Sequence, residues 1–275
     1  MNEFLEIHKG TSPLVLSMPH SGRDLVPGVE ACLNDEGRGL ADTDWWIERL
    51  YDFHPALGAS VVRSKLSRYV IDLNRDPSGQ SLYPGQATTG LCPTETFDGV
   101  PLYLSGKEPD EAEVARRLEN YFTPYHDALR QMIDASVARH GFALLFDCHS
   151  IRSVVPRLFE GLLPVFNIGT NDGKASAPEL GQILADTCAA QDSPSYVLNG
   201  RFKGGWITRH YGDPANNVHA VQLELSQAAY MIEKPPWTYL ESEAAIAATI
   251  IRSALQSMLD WSTKNLSKDS LGENA

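Results

Sequence analysis

The chain reads as an α/β protein with a mainly parallel sheet, and three observations carry that reading. Short, nearly continuous apolar runs, of the kind that form strands covered on both faces, recur at "SPLVLSM", "FALLF" and "HAVQLELS". Longer stretches with helical spacing and helical start and stop signals lie between them. The composition, 43% hydrophobic and 21% charged, is that of a chain able to bury a sizeable core.

The elements follow in order. "SPLVLSMPHSG" is a strand ending at Pro19-His20-Ser21-Gly22, followed by a weakly periodic stretch to Gly39. "DTDWWIERLYDFHPAL" places Trp46, Leu50 and Phe53 at helical spacing, with Asp42 or Thr43 as cap. "ASVVRSKLSRYVIDLNR" predicts two short strands, the second ending on Asp72, Asn74 and Arg75. Residues 76–108 form a long irregular stretch, rich in Gly, Pro, Tyr and Thr, of the kind that covers a pocket. The segment 109–141 predicts a pair of helices kinked or broken at Pro124, acidic at its start and basic at its end. A strand through 142–150, a short strand at 164–168, a helix over 177–190, a strand at 219–226 and a closing helix over 240–262 complete the pattern. No linker interrupts residues 12–260, so a single domain over 1–263 is expected, with 264–275 as a frayed polar tail.

Charge and cysteines exclude several classes of function. A net charge of -12 argues against a non-specific nucleic-acid binder, which needs a basic face, although it leaves room for a local basic pocket. The N-terminus lacks a basic region followed by an apolar core, and no run reaches the roughly 18 apolar residues of a membrane span. A cytoplasmic protein without membrane partners is expected. Cys32, Cys92, Cys148 and Cys188 form no CxxC pair, so they read as reduced thiols rather than a zinc ribbon or redox motif.

The chemistry gathers at strand ends. His20, His149 and Glu224 are metal-type ligands, and two imidazoles with one carboxylate make a common set for catalytic zinc. Each histidine taken alone also fits a structural role, and HExxH is absent. Asp147 precedes His149 by two residues, so on a strand it faces the same side and can orient the imidazole. Asp42 and Asp44 in "ADTDWW" read either as helix caps or as the completion of a metal site. Asn74 and Arg75 offer an amide and a guanidinium fork suited to a carboxylate, or else a surface arginine paired with Asp72 or Asp76. "NGRFKGGWITRHYG" concentrates Arg201, Lys203, Arg209 and His210 among glycines, which suits an anionic small substrate or a solvated loop. Ser21 and Ser150 lack a GxSxG elbow and Cys148 lacks an activating partner, so covalent catalysis has little support. No P-loop or GxGxxG points to a nucleotide.

Taken together, "MPHSG", "ADTDWWIERLY", "SRYVIDLNRDP", "SLYPGQATTGLCP", "FDCHSIRS", "LPVFNIGT", "NGRFKGGWITRHYG" and "AVQLELSQ" resemble, in type and order, the N-formylglutamate amidohydrolase (deformylase) family over residues 5–235. That family is in turn distantly similar to the zinc carboxypeptidases, which implies a single α/β domain of the phosphorylase/hydrolase-like kind, with a mixed, mostly parallel sheet flanked by helices. The resemblance implies one divalent metal, zinc, held by His20 and His149. It implies Asn74 and Arg75 as carboxylate binders and Glu224 as general base, which moves Glu224 out of the metal shell. The carboxypeptidase pattern takes its acidic ligand three residues after the first histidine, where this chain has Arg23. Asp44 is favoured in its place, with Asp42 and Asp24 as alternatives. The implied reaction is hydrolysis of N-formyl-L-glutamate, a step of histidine degradation, with Arg209 assisting the oxyanion and Arg201 or Lys203 joining Arg75 on a small dianionic substrate. Rival readings are an amidase or peptidase of the same superfamily acting on another N-acyl amino acid or acidic peptide, and a non-catalytic binder of acidic metabolites. Oligomeric state is not legible.

Overall fold

Gly141 ends a long helix in a left-handed conformation (φ 88°), and the apolar run after it becomes the fully buried central strand of the molecule. In the computed structural model, which describes residues 3–80, 85, 88–191 and 194–267, the strands are β1 (Leu5–His8), β2 (Leu14–Met18), β3 (Ser60–Ser64), β4 (Ala143–Ile151), β5 (Phe166–Gly169), β6 (Tyr196–Leu198) and β7 (Val218–Ser226). They form one seven-stranded sheet in the order β1-β3-β2-β4-β7-β5-β6. β2 runs parallel to β3 and β4, β4 to β7, and β5 to β6, while β1–β3 and β5–β7 are antiparallel. The sheet is thus mixed and mostly parallel, as the resemblance implied.

The helices are α1 (Pro27–Glu30), α2 (Asp35–Arg38), α3 (Ile47–Leu50), α4 (Glu111–Arg117), α5 (Thr123–His140), α6 (Pro178–Ala189), α7 (Trp206–Tyr211) and α8 (Glu241–Leu266). Alternation along β4 divides the core between the two faces of the sheet. Leu144, Phe146 and Cys148 pack with residues of α6 and α8, whereas Ala143 and Leu145 pack with Tyr125, Leu129 and Ile133 of α5. Because β2, β4 and β7 are parallel, their C-terminal ends share one edge of the sheet, the edge at which such folds bind ligands. The register sets Ser17 against Asp147, Asp147 against Gln222, and His149 against Glu224.

Three segments differ from the sequence reading. The helix expected over the "DTDWWIERLYDFHPAL" stretch is only the single turn α3 and a 3-10 turn at His54–Leu57. Trp46 takes a left-handed φ of 65°, and the Asp44 N–H donates to the His20 carbonyl at 3.1 Å, so the first turn is given up to set Asp44 beside His20. Neither Asp42 nor Thr43 caps a helix there. The second strand expected in "SRYVIDLNR" is a series of turns. Arg68 and Asp72 pair at 2.6 Å, a contact that residues four apart on an extended strand, roughly 13 Å from each other, cannot make. Around Pro124 the chain does not break: a π turn at Leu118–Phe122 joins α4 to α5, and Pro124 falls in the first turn of α5, where a missing N–H is tolerated.

The sequence reading also passed over β1, β6 and α7. β6 is short with two exposed residues, and α7 is hidden by the glycines that flank it. The closing helix reaches Leu266, past the boundary expected at 263, and the rest of the expected tail, 268–275, lies outside the described residues. Part of the "SLYPGQATTGLCP" stretch, residues 81–84 and 86–87, does so too. Among the described residues no helix is long and apolar enough to cross a membrane.

Leu144 is 1% exposed at the centre of the sheet, with both neighbouring strands paired to β4. Leu144→Ala is expected to lower the unfolding free energy by about 2–5 kcal/mol, read from the shift of a urea denaturation midpoint.

Candidate metal centre and cleft

His20 lies two residues beyond β2, Asp44 in the turn before α3, and His149 near the end of β4. All three are buried, and one ligand atom from each falls within 4.8 Å of the others. His149 Nδ1 is 3.0 Å from Asp44 Oδ2, and the two imidazole rings lie 4.9 Å apart. The Ser150 N–H also donates to Asp44 Oδ2, at 3.1 Å. Of the three acidic candidates, this group includes Asp44. Asp42 is buried elsewhere, accepting the Phe97 N–H at 2.8 Å, and Asp24 is exposed in a bridge to Leu66.

The outer atoms of both imidazoles are held by carboxylates. His20 Nε2 is 2.7 Å from Asp72 Oδ1, and His149 Nε2 is 2.9 Å from Asp147 Oδ2. The inner atoms are the ones left over: His20 Nδ1 and Asp44 Oδ1 are buried without a hydrogen-bond partner. Orienting carboxylates behind two histidines, with unsatisfied donor atoms converging in front, form a nitrogen and oxygen set that fits a divalent metal. The group could therefore hold one.

Electrostatics reinforce this arrangement. Burial disfavours charge on Asp72, but Arg68, then Arg75 and His20, outweigh it and hold its pKa well below the usual carboxylate range. Burial, aided by the Arg68 charge, lowers the His20 pKa and favours neutral imidazole. For His149 burial acts in the same direction, yet Asp147 and Asp44 overcome it and raise the pKa well above the ordinary value. Burial also tends to raise the Asp44 pKa, and the hydrogen bond with His149 with the nearby positive charges brings it below normal. Glu224, on β7, is pushed up to about 8 by burial.

An open cleft lies over this group. His20, His149 and Glu224 line its inner end; Arg68, Arg75 and Arg201 supply positive charge. Arg75 donates twice to Thr89 and once to the Asn74 carbonyl, and its Nη2 lies 3.7 Å from Asp72 Oδ2. Arg201 donates to the Leu158 carbonyl. Lys203 and Arg209 are not brought into the cleft: Lys203 pairs with Asp172 on the surface, and Arg209 Nε donates to the Gly204 carbonyl.

Asn74 lines the cleft with both ends of its amide in use. Its Nδ2 lies 3.2 Å from Asp147 Oδ2 and 2.9 Å from His149 Nε2, and its Oδ1 accepts the Ile207 N–H of α7 at 2.7 Å. A Cβ on Gly205 would sit 2.3 Å from Asn74 Nδ2, so this position admits no side chain. Gln222 closes the network, its Oε1 accepting the Gly205 N–H at 2.7 Å and its Nε2 lying 3.4 Å from Glu224.

Three contributors were not singled out from sequence. Asp72 was read only as a partner for Arg75; Arg68, 5% exposed, pairs with Asp72 and comes within 3.6 Å of Asp44; Phe97 packs against Arg68. The Arg–Asp spacing of four in "SRYVIDLNR" was the available signal, masked by the strand-like composition around it.

A family model described as N-formylglutamate amidohydrolase matches residues 12–231. The chain is 51% identical to an N-formylglutamate deformylase of Pseudomonas aeruginosa, covering 95% of this chain and 98% of that protein. A Pseudomonas putida N-formylglutamate deformylase is 50% identical, with 95% and 97% covered. Among solved structures, an N-formylglutamate amidohydrolase from Ralstonia eutropha superposes with a TM-score of 0.76 at 22% identity, covering 95% of this chain and 98% of that one. A gene product of Agrobacterium tumefaciens gives 0.68 at 19%, covering 93% and 94%. With a family model over most of its length and relatives half identical across nearly all of it, the chain belongs to the N-formylglutamate amidohydrolase family.

Proposed function

We propose that the protein is an N-formylglutamate deformylase, hydrolysing N-formyl-L-glutamate to L-glutamate and formate with one divalent metal, zinc, held by His20, Asp44 and His149. The observation that carries the reading is the convergence of those three buried side chains, two of their inner donor atoms unpartnered, at the end of a cleft lined with arginines, in a chain half identical to two deformylases. Two imidazoles and one carboxylate form a common ligand set for catalytic zinc.

When bound, the metal would supply Lewis acidity to the formyl carbonyl and to the attacking water. Glu224 takes the proton of the water that adds to the formyl carbon and returns it to the glutamate nitrogen as the C–N bond breaks. Arg68, the cation nearest the donor group, faces the oxygen on which negative charge develops, a role the sequence reading gave to Arg209. Arg75 and Arg201, both lining the cleft, bind the two carboxylates of the substrate. Asn74 acts indirectly, as a positioning residue between His149, Asp147 and the start of α7. Asp147 and Asp72 fix the two imidazoles. A cytoplasmic location fits a protein with four free cysteines.

Formate release from N-formyl-L-glutamate, followed on the purified protein, after chelation and after zinc return, tests the reading: activity should vanish and recover. No formate from zinc-replete protein would reject the substrate. Glu224→Gln should keep its zinc, measured by elemental analysis, while turnover falls by about 10^2–10^4; loss of the metal instead would make Glu224 a ligand. Asp72→Asn removes the carboxylate behind His20, and its zinc affinity, measured by competition with a chromogenic chelator, is expected to fall about 10–100-fold.

A further inference from the structure

Phe97 and Ile151 line the cleft as an apolar wall, in company with Ser150. Behind them, against Asp42, Arg152 and Gln227, the packing leaves no space large enough for a water molecule. The wall is therefore an apolar partition backed by solid protein. The Phe97 ring is 6% exposed and lies 4.8 Å from the Arg68 guanidinium carbon, and Arg68 Nη1 lies 3.6 Å from Asp44 Oδ1, so the ring is one side chain away from the donor group. Ile151 follows His149 by two residues on β4 and therefore faces the same way.

The partition is held firmly. The Phe97 N–H donates to buried Asp42 Oδ2 at 2.8 Å. The turn around it is closed by the Thr96 N–H on the Val100 carbonyl and the Gly99 N–H on the Thr96 carbonyl, both at 2.9 Å, while Thr96 Oγ1 accepts the N–H groups of Asp98 and Val100. Val155 and Leu163 pack in the same cluster as Phe97 and Ile151. With its backbone fixed and its side chain buried against these neighbours, Phe97 can swing aside to admit a larger ligand only by breaking that packing.

On the reading that the protein is a deformylase, we propose that Phe97 and Ile151 restrict the acyl group to formyl, and that Asp42 is the positioning residue that sets this wall. A formyl carbon carries only hydrogen besides its oxygen and nitrogen; an acetyl carbon adds one methyl, which must find room beside the donor group. With both substrate carboxylates taken by the arginines, that methyl meets the apolar partition. Rejection by a rigid wall gives larger discrimination than a missing contact, because the added group fits only if backbone-anchored atoms move.

The test compares kcat/KM for N-formyl-L-glutamate and N-acetyl-L-glutamate in the wild type and in Phe97→Leu, which keeps an apolar side chain but removes the ring. The acetyl-to-formyl ratio should rise at least about tenfold. A second measurement is independent of turnover: in a Glu224→Gln background, calorimetry should show N-acetyl-L-glutamate binding more tightly when Phe97→Leu is added. A loss of both activities in proportion, with the ratio and the N-acetyl-L-glutamate affinity unmoved, would make the ring purely structural and overturn the proposal. A wild type that releases no formate would overturn the deformylase reading itself, which an active wild type with an unmoved ratio would not.

Discussion

Carboxylates buried together must each find a positive or hydrogen-bonding neighbour, and the whole functional end of this protein is arranged around that requirement. Asp42, Asp44, Asp72 and Asp147 are each 3% exposed or less. In a medium of low polarisability an uncompensated charge of this kind costs several kcal/mol, about the whole margin by which a domain is stable. The compensation comes from separate parts of the chain: Arg68 and His20 for Asp72, His149 for Asp44, and Ser17, Asn74 and His149 for Asp147. The Asp44–His149 and Asn74–Asp147 pairings tie loops to the sheet. The turns that replace the expected strand at 68–73, and the left-handed Trp46 that shortens α3, are local costs accepted to bring these partners within reach.

The same pairings explain why the site is rigid before any ligand arrives. Asn74 receives α7 through the Ile207 N–H and passes the constraint to Asp147 and His149, while Gly205 leaves room for it and Gln222 holds Gly205. β7 thereby supports the metal-type group twice, through its ladder with β4 and through this polar chain. A polar network of this sort stabilises only when its members are all satisfied. Two of the orphaned atoms beside it, His20 Nδ1 and Asp44 Oδ1, are therefore informative: they converge where a cation could sit.

Most strands and the longer helices were legible in the sequence because apolar period and punctuation coincide there. "FALLF" after Gly141 has one physical solution, a central strand, and His149 near its end follows directly. The segment "SRYVIDLNR" was misleading for a definable reason. Its β-branched and aromatic residues are indeed buried, but Arg68 and Asp72 form a contact that only a turn allows, and long-range pairing overrode propensity. The placement of Arg209 and Lys203 was out of reach for a similar reason. A cluster of basic residues gives charge but not direction, and the glycines beside them send one to Asp172 and the other to a backbone carbonyl. Asp44 could be favoured but not separated from Asp42 on sequence, since two residues apart in a turn can point to opposite partners. One meets His149 and the other the Phe97 backbone.

Charge balance at the inner end of the cleft connects the proposed cation to the choice of substrate. Asp44, Asp72 and Asp147 face Arg68, Arg75 and His149, whose pKa Asp147 and Asp44 raise against the effect of burial, while burial pushes Glu224 up to about 8. Acids and cations so closely matched, in a protein of net charge -12, leave little excess positive charge to draw a dianion. On the proposed reading, a divalent cation held by His20, Asp44 and His149 would add positive charge at the point where the amide binds, and Arg201 adds more along the cleft. The same carboxylates keep the arginines from repelling one another when no cation is bound, so the capacity to attract an acidic substrate would come with the cation.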